Sequence, residues 1–114
     1  MTVPPVIPRF YHMVLIRFTT PIDAAFEEKV QALVSRIRSS VPGLLYYYFG
    51  PNMDAKRGKG YTHCNLSVFD SSEAHDRYQT HPLHHEMRDL MVPRMEIVVC
   101  DIDLDQIPAK WTGV

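Results

Sequence analysis

The chain has 114 residues, 46% of them hydrophobic, and 12 basic and 13 acidic side chains give it a formal net charge of −1. This arithmetic predicts one globular domain, and its near-neutral charge excludes the electrostatic footprint of a nucleic-acid or anionic-membrane binder. No apolar run reaches the roughly 20 residues of a membrane span, and the first residues do not resemble a signal peptide, so we expect no membrane partner and a cytoplasmic protein.

The first half of the chain predicts an arm, a strand and a helix. Residues 1–9 contain three prolines, which predict an extended N-terminal arm. The aromatic and β-branched run at 10–18 predicts a central strand with His12 and Ile16 on the same face. Thr20-Pro21 is a typical N-cap followed by a first helical proline, and the apolar stripe that follows predicts a helix ending before Pro42-Gly43.

The second half predicts three strands and a broken helix. Strands are expected at 44–49, 61–69 and 96–103, and the third strand of the chain gathers polar residues such as His63 on one face. A short helix through Tyr78 is followed by Thr80-His81-Pro82, which restarts a second helical segment. Residues 104–114 form a C-terminal tail.

The predicted order is β-α-β-β-α-β, the ferredoxin-like α+β arrangement with a four-stranded antiparallel-type sheet over residues 10–103. We expect the first and third strands to be central, parallel neighbours. His12 and His63 each lie near the start of one of these strands, so we expect them to stand side by side.

Histidine is unusually frequent, with six residues in a small domain. His75 and His85 are expected on helix surfaces, whereas His12 and His63 interrupt buried strands and need hydrogen-bond partners there. The motif from Tyr78 to His84 spans the helix break, where side chains can point into a cleft between helix and sheet.

Three kinds of chemistry fit these groups. His84 could act as a general base on a C–H next to a carbonyl, with Tyr78 hydrogen-bonded to the developing enolate oxygen. His81, His84 and a strand histidine could bind a metal, but no carboxylate or cysteine completes a recognised ligand pattern, so we expect no metal site. The histidines could also serve only to connect helix and sheet by hydrogen bonds.

Four segments together carry a family resemblance: FYHMVLIRF, RGKGYTHCNLSVF, AHDRYQTHPLHHEM and EIVVCDID. Over Phe10–Asp103 the chain resembles the stress-responsive dimeric α/β-barrel (Dabb) family. The resemblance implies a homodimer in which two sheets pack into an α+β barrel. The family includes polyketide cyclases resembling olivetolic acid cyclase, which work without a cofactor.

The resemblance also implies roles for individual residues. Tyr78 and His84 match the catalytic pair of the cyclase, and His12, His63 and His81 match residues of its substrate pocket. His84 would remove a proton from an activated methylene of a poly-β-ketone while Tyr78 holds a carbonyl during aldol closure. A pocket tyrosine of the cyclase is matched here by Val34, so the resemblance leaves the substrate open.

The sequence therefore predicts a cofactor-independent cyclase or lyase that acts on a small poly-carbonyl, polyketide-like substrate. One alternative is a non-catalytic, stress-responsive binding or structural dimer. Another is a cofactor-free monooxygenase-like or metal-assisted enzyme on the same barrel.

Overall fold

The computed structural model of the chain describes residues 6–54 and 56–111. The predicted element order is confirmed, with strand ends shifted by two residues or fewer. Residues 1–5 of the expected arm and 112–114 of the expected tail lie outside the described residues. The strands are β1 (Phe10–Phe18), β2 (Leu44–Pro51), β3 (His63–Phe69) and β4 (Met95–Asp103); the helices are α1 (Ala24–Ser40), α2 (Ser72–Gln79) and α3 (Pro82–Met91); and short 3₁₀ turns lie at Val92–Arg94 and Ala109–Trp111.

The four strands form one sheet in the order β2-β3-β1-β4, with every neighbouring pair antiparallel. The ferredoxin-like α+β architecture is therefore confirmed, and β1 and β3 are central as predicted. The expectation that β1 and β3 are parallel is wrong. The crossover through α1 makes β1 parallel to β2, and the hairpin between β2 and β3 then reverses the direction of β3.

The strand direction separates two histidines that were expected to be adjacent. In the β1–β3 register His12 lies opposite Ser67, and His63 lies opposite Ile16. Four residues along a strand span about 13 Å. His12 and His63 therefore lie toward opposite ends of the sheet.

Side-chain caps decide where the helices begin. The Asp23 carboxylate accepts a hydrogen bond of 2.8 Å from the Phe26 N–H, so α1 begins at Ala24, after the Thr20-Pro21 start predicted from the sequence. Ser71 caps α2 in the same way. The apolar stripe of α1 is confirmed, since its buried residues are Phe26, Val30, Leu33, Val34 and Ile37.

All three helices pack on one face of the sheet, where the core lies. Gly43 connects α1 to β2 with a φ of +77°, a conformation that favours glycine, and a Cβ there would clash with Ala74. The described residues leave the opposite face uncovered. Along it lie Met13, Tyr46, Val98 and Ile102, each 40–52% exposed, so the sheet has an open apolar surface.

Within the part of the chain that the structure describes, no helix is both long enough and apolar enough to cross a membrane.

Candidate active site

A cavity of about 270 Å³ lies between the sheet and helices α2 and α3. It opens at the β4 side, where its wall residues Val92, Ile97 and Val99 are about half exposed. Much of the wall is apolar and includes three methionines, Met87, Met91 and Met95. The polar residues in the wall are His12, Tyr47, Asn65, Tyr78, Gln79, His84 and Arg88.

The break between α2 and α3 brings Tyr78 and His84 together. Tyr78 lies in the last turn of α2, and the His81 N–H donates to its carbonyl at 3.0 Å, which closes a tight turn. Pro82 begins α3 as predicted, and His84 lies in its first turn. The two rings meet edge to face with centroids 4.8 Å apart. The predicted catalytic pair is therefore assembled in the cavity wall.

One hydrogen bond defines the protonation pattern of His84. Its Nδ1 lies 3.1 Å from the backbone carbonyl of Gln79, which can only accept, so Nδ1 carries the proton. The neutral ring then has its lone pair on Nε2. Burial lowers the pKa of His84, and the nearby charges of Arg88, His85 and His12 lower it further, outweighing the effect of the hydrogen bond. His84 therefore has the protonation state of a base at neutral pH.

Tyr78 is held as a hydrogen-bond donor. It is buried, and its hydroxyl donates to the Tyr47 hydroxyl at 3.4 Å. Burial raises the pKa of Tyr78 well above its usual value, as does the neighbouring Tyr47. Burial raises the pKa of Tyr47 as well. Both phenols therefore keep their protons at neutral pH, and Tyr78 can donate to an oxygen that gains negative charge by turning its one hydroxyl proton away from Tyr47.

His12 lines the cavity from β1 and is anchored by a carboxylate that sequence reasoning missed. Its Nδ1 donates to Asp101 Oδ1 at 2.5 Å, across the β1–β4 register. His75 lies beside this pair, with its ring centroid 4.9 Å from that of His12. Within the described residues, one group of His, Cys, Asp or Glu side chains could hold a metal ion, namely His12, His75 and Asp101, whose ligand atoms lie within 4.8 Å of one another.

His75 is buried, so its expected place on a helix surface is wrong. Its ring stacks on Phe10 with centroids 4.3 Å apart and meets the edge of Phe69, and the Gln79 side chain donates to its Nε2 at 2.9 Å. Burial lowers the pKa of His75, and the charge of His12 adds to this effect. His85 is half-buried and does not line the cavity.

The two other predicted pocket histidines lie elsewhere. His63 lines a separate cavity of about 290 Å³ beside α1, with Phe18 and Glu27, and burial lowers its pKa. His81 caps α3, because its Nδ1 accepts a hydrogen bond of 3.0 Å from the Leu83 N–H. The structure thus brings His12, Tyr78 and His84 to one cavity and leaves His63 and His81 outside its wall.

Sequence reasoning missed three residues in or beside the cavity wall. Tyr47 belongs to a run of aromatic residues, and the irregularity in β2 between Leu44 and Tyr46 shifts the alternation that would have assigned its face. Asp101 lies in a predicted strand, but only the β1–β4 register shows that it meets His12. Arg88 follows His84 by one helical turn, a spacing that could have placed it near the same site.

Residues 10–104 match the family model for the Stress responsive A/B Barrel Domain, Dabb. The chain belongs to the Dabb family. No curated protein matches the chain significantly in sequence.

Solved structures with the same fold include proteins from bacteria and a plant. A dimeric ferredoxin-like protein of unknown function from Jannaschia sp. CCS1 is 24% identical, with a TM-score of 0.73 over 82% of this Dabb chain and 97% of that one. A Dabb family protein from Mesorhizobium loti is 20% identical, with a TM-score of 0.68 over 89% and 97%. The hydroxynitrile lyase from Passiflora edulis is 18% identical, with a TM-score of 0.73 over 91% and 99%. At these identities the likeness establishes the fold alone.

Proposed function

We propose that this Dabb protein is a cofactor-independent enzyme that uses His84 as a general base on a small carbonyl compound. The reaction class is aldol-type cyclisation or cleavage of a poly-carbonyl, polyketide-like substrate. One observation carries the proposal: His84 has its Nδ1 proton on the Gln79 carbonyl, which leaves Nε2 unprotonated, and its ring lies against Tyr78 in the cavity wall.

The chemistry needs a base and an oxyanion partner. A C–H next to a carbonyl becomes acidic because its conjugate base is an enolate, whose charge rests on oxygen. His84 would take the proton on Nε2, and Tyr78 would turn its hydroxyl proton from Tyr47 into a hydrogen bond to the enolate oxygen. A positioned base typically contributes about 100- to 10,000-fold to the rate.

The cavity supports a substrate of this kind. Its volume of about 270 Å³ and its methionine-rich wall suit an apolar molecule with a few oxygen atoms. The Passiflora edulis protein is a hydroxynitrile lyase, which supports lyase chemistry on this fold. His12, with its Nδ1 proton held by Asp101, has an accepting Nε2 that could bind a hydroxyl of the substrate or of its enol form.

We also propose that the enzyme is a homodimer formed through the open face of the sheet. Contiguous exposed apolar surface is typical of protein interfaces, and Met13, Val98 and Ile102 lie on this face. The Jannaschia protein with this fold is dimeric. Face-to-face packing of two such sheets would form the α+β barrel.

Proton abstraction can be tested before the natural substrate is known. Ethyl acetoacetate has an activated methylene, and NMR in D₂O measures the exchange of its protons for deuterium above the buffer rate. His84→Ala should reduce the catalysed exchange by about 100-fold or more. Tyr78→Phe should reduce it by about 100-fold, the usual cost of losing one oxyanion donor. A 3,5,7-trioxo thioester then tests the full aldol closure.

His63→Gln is the matched control, because it replaces a histidine in the separate cavity beside α1 and should leave exchange unchanged. The melting temperature of each variant shows whether it is folded. Exchange that persists in folded His84→Ala would overturn the proposal. A large loss of stability in both site variants would instead support the non-catalytic, structural dimer.

A further inference from the structure

We propose that Arg88 makes this cavity selective for carbonyl substrates that also carry a carboxylate. The inference rests on the proposed function for the identity of the reacting end of the molecule. It adds a second recognition point, at the mouth of the cavity, and so defines the substrate class as oxo acids.

Among the described residues that line the cavity, Arg88 is the one arginine or lysine, and none is an aspartate or glutamate. It lies four residues after His84 in α3, so both side chains leave the same face of the helix. Arg88 is exposed, whereas Tyr78 is buried. The cavity therefore has a positive charge at its opening and neutral polar groups inside.

The Arg88 guanidinium has no carboxylate partner among residues 6–54 and 56–111. Its one polar contact there is a nitrogen 3.1 Å from His85 Nδ1, which accepts. Of the other seven arginines of the chain, four are paired with carboxylates: Arg9, Arg17, Arg36 and Arg57. A guanidinium presents several N–H groups in a planar fork that matches a carboxylate, so Arg88 retains donors for an anion from solution.

The spacing of His84 and Arg88 along α3 sets the distance between the two groups of the substrate that they bind. Four residues of α-helix rise about 6 Å along the axis. A molecule that places its acidic C–H at His84 and its charge at Arg88 therefore needs several bonds between the carbonyl group and the carboxylate. Two-point binding also sets its direction, because the charged end remains near water while the carbonyl end enters the apolar cavity.

The charge of Arg88 also affects the base. It is one of the charges that lower the pKa of His84, together with those of His85 and His12. A carboxylate bound to Arg88 offsets its positive charge, which raises the pKa of His84 and makes it a stronger base. A substrate with the correct charge would thus increase the reactivity of the site that it occupies.

Binding of 6-oxoheptanoate and its methyl ester, measured by calorimetry in a buffer free of carboxylates, tests the inference without turnover. The wild-type protein should bind the acid about 10- to 100-fold more tightly than the ester, as expected for charge-assisted hydrogen bonds. Arg88→Gln should remove this preference, and Arg88→Lys should retain part of it. Arg36→Gln is the matched control, since Arg36 pairs with Glu86 away from the cavity and its loss should leave the preference intact.

Equal affinity for acid and ester in the wild-type protein would overturn the inference, as would a preference that survives in Arg88→Gln, or no binding of either probe. His84→Ala separates the two proposals because it removes the base and leaves the guanidinium. An acid preference that persists in His84→Ala supports the role of Arg88 whatever happens to proton exchange. Loss of exchange with no acid preference in any variant supports the base and excludes the carboxylate site.

Discussion

Three histidines of this Dabb protein have a lowered pKa, but their surroundings differ. Burial lowers the pKa of His63, His75 and His84. His75 is enclosed by aromatic rings and a glutamine side chain, and His63 lies in a second cavity away from Tyr78. Of the three, only His84 combines an Nδ1 fixed on a carbonyl with a phenol ring against it in the wall of the main cavity. A lowered pKa alone would not have separated these three residues.

The direction of the His84 pKa shift predicts the pH dependence of catalysis. The neutral ring is the base, so activity should be complete near pH 7. It should be lost as the pH falls, with a midpoint below 6.5, the ordinary pKa of histidine. Arg88→Gln removes a neighbouring positive charge, which makes the protonated ring less unfavourable and should raise that midpoint. NMR titration of the His84 ring measures the midpoint in the wild type and in Arg88→Gln. The His84 signal is the one that is missing from the spectrum of His84→Gln. A wild-type midpoint at or above 6.5 would contradict the argument.

At the scale of elements, local sequence signals located the helices and strands because those signals depend on neighbouring residues. The α2–α3 break was visible in Thr80-His81-Pro82, and it places Tyr78 and His84 as expected. The burial of His75 was not visible, because α2 is mostly polar and the rings that cover His75 come from β1 and β3. The contact between His12 and Asp101 likewise depends on register between distant strands.

The N-cap of α3 offers a test of what His81 does. His81→Ala removes the acceptor for the Leu83 N–H and should lower the free energy of unfolding by about 1 kcal/mol. His81→Asn supplies another capping acceptor and should retain most of that stability. Chemical denaturation measures the difference. Binding of 6-oxoheptanoate should be similar in both variants, since His81 does not line the cavity; an equal loss of binding in both would instead assign His81 to the substrate site.

At the scale of the whole molecule, the two faces of the sheet carry different features. One face carries the helices, the core and the main cavity, so the chemistry proposed here is contained within a single chain. The other face carries apolar side chains and the thiol of Cys100, which is exposed in the single chain. Alternation along β4 explains this division, because Val99 lines the cavity while its neighbours Val98 and Cys100 point away from it.

The open face predicts the oligomeric state and a way to disrupt it. Light scattering at micromolar concentration should give twice the chain mass of 13.2 kDa. Val98→Asp places a charge on the open face, in the edge strand β4, and should shift the mass to that of one chain, because an unpaired carboxylate is costly to bury. Met53→Asp is the control, since Met53 is exposed in the loop after β2, outside the sheet. Cys100 should react slowly with a thiol reagent in the wild-type protein and faster in Val98→Asp. A wild-type mass of 13.2 kDa, or a dimer unaffected by Val98→Asp, would show that this face is not the interface.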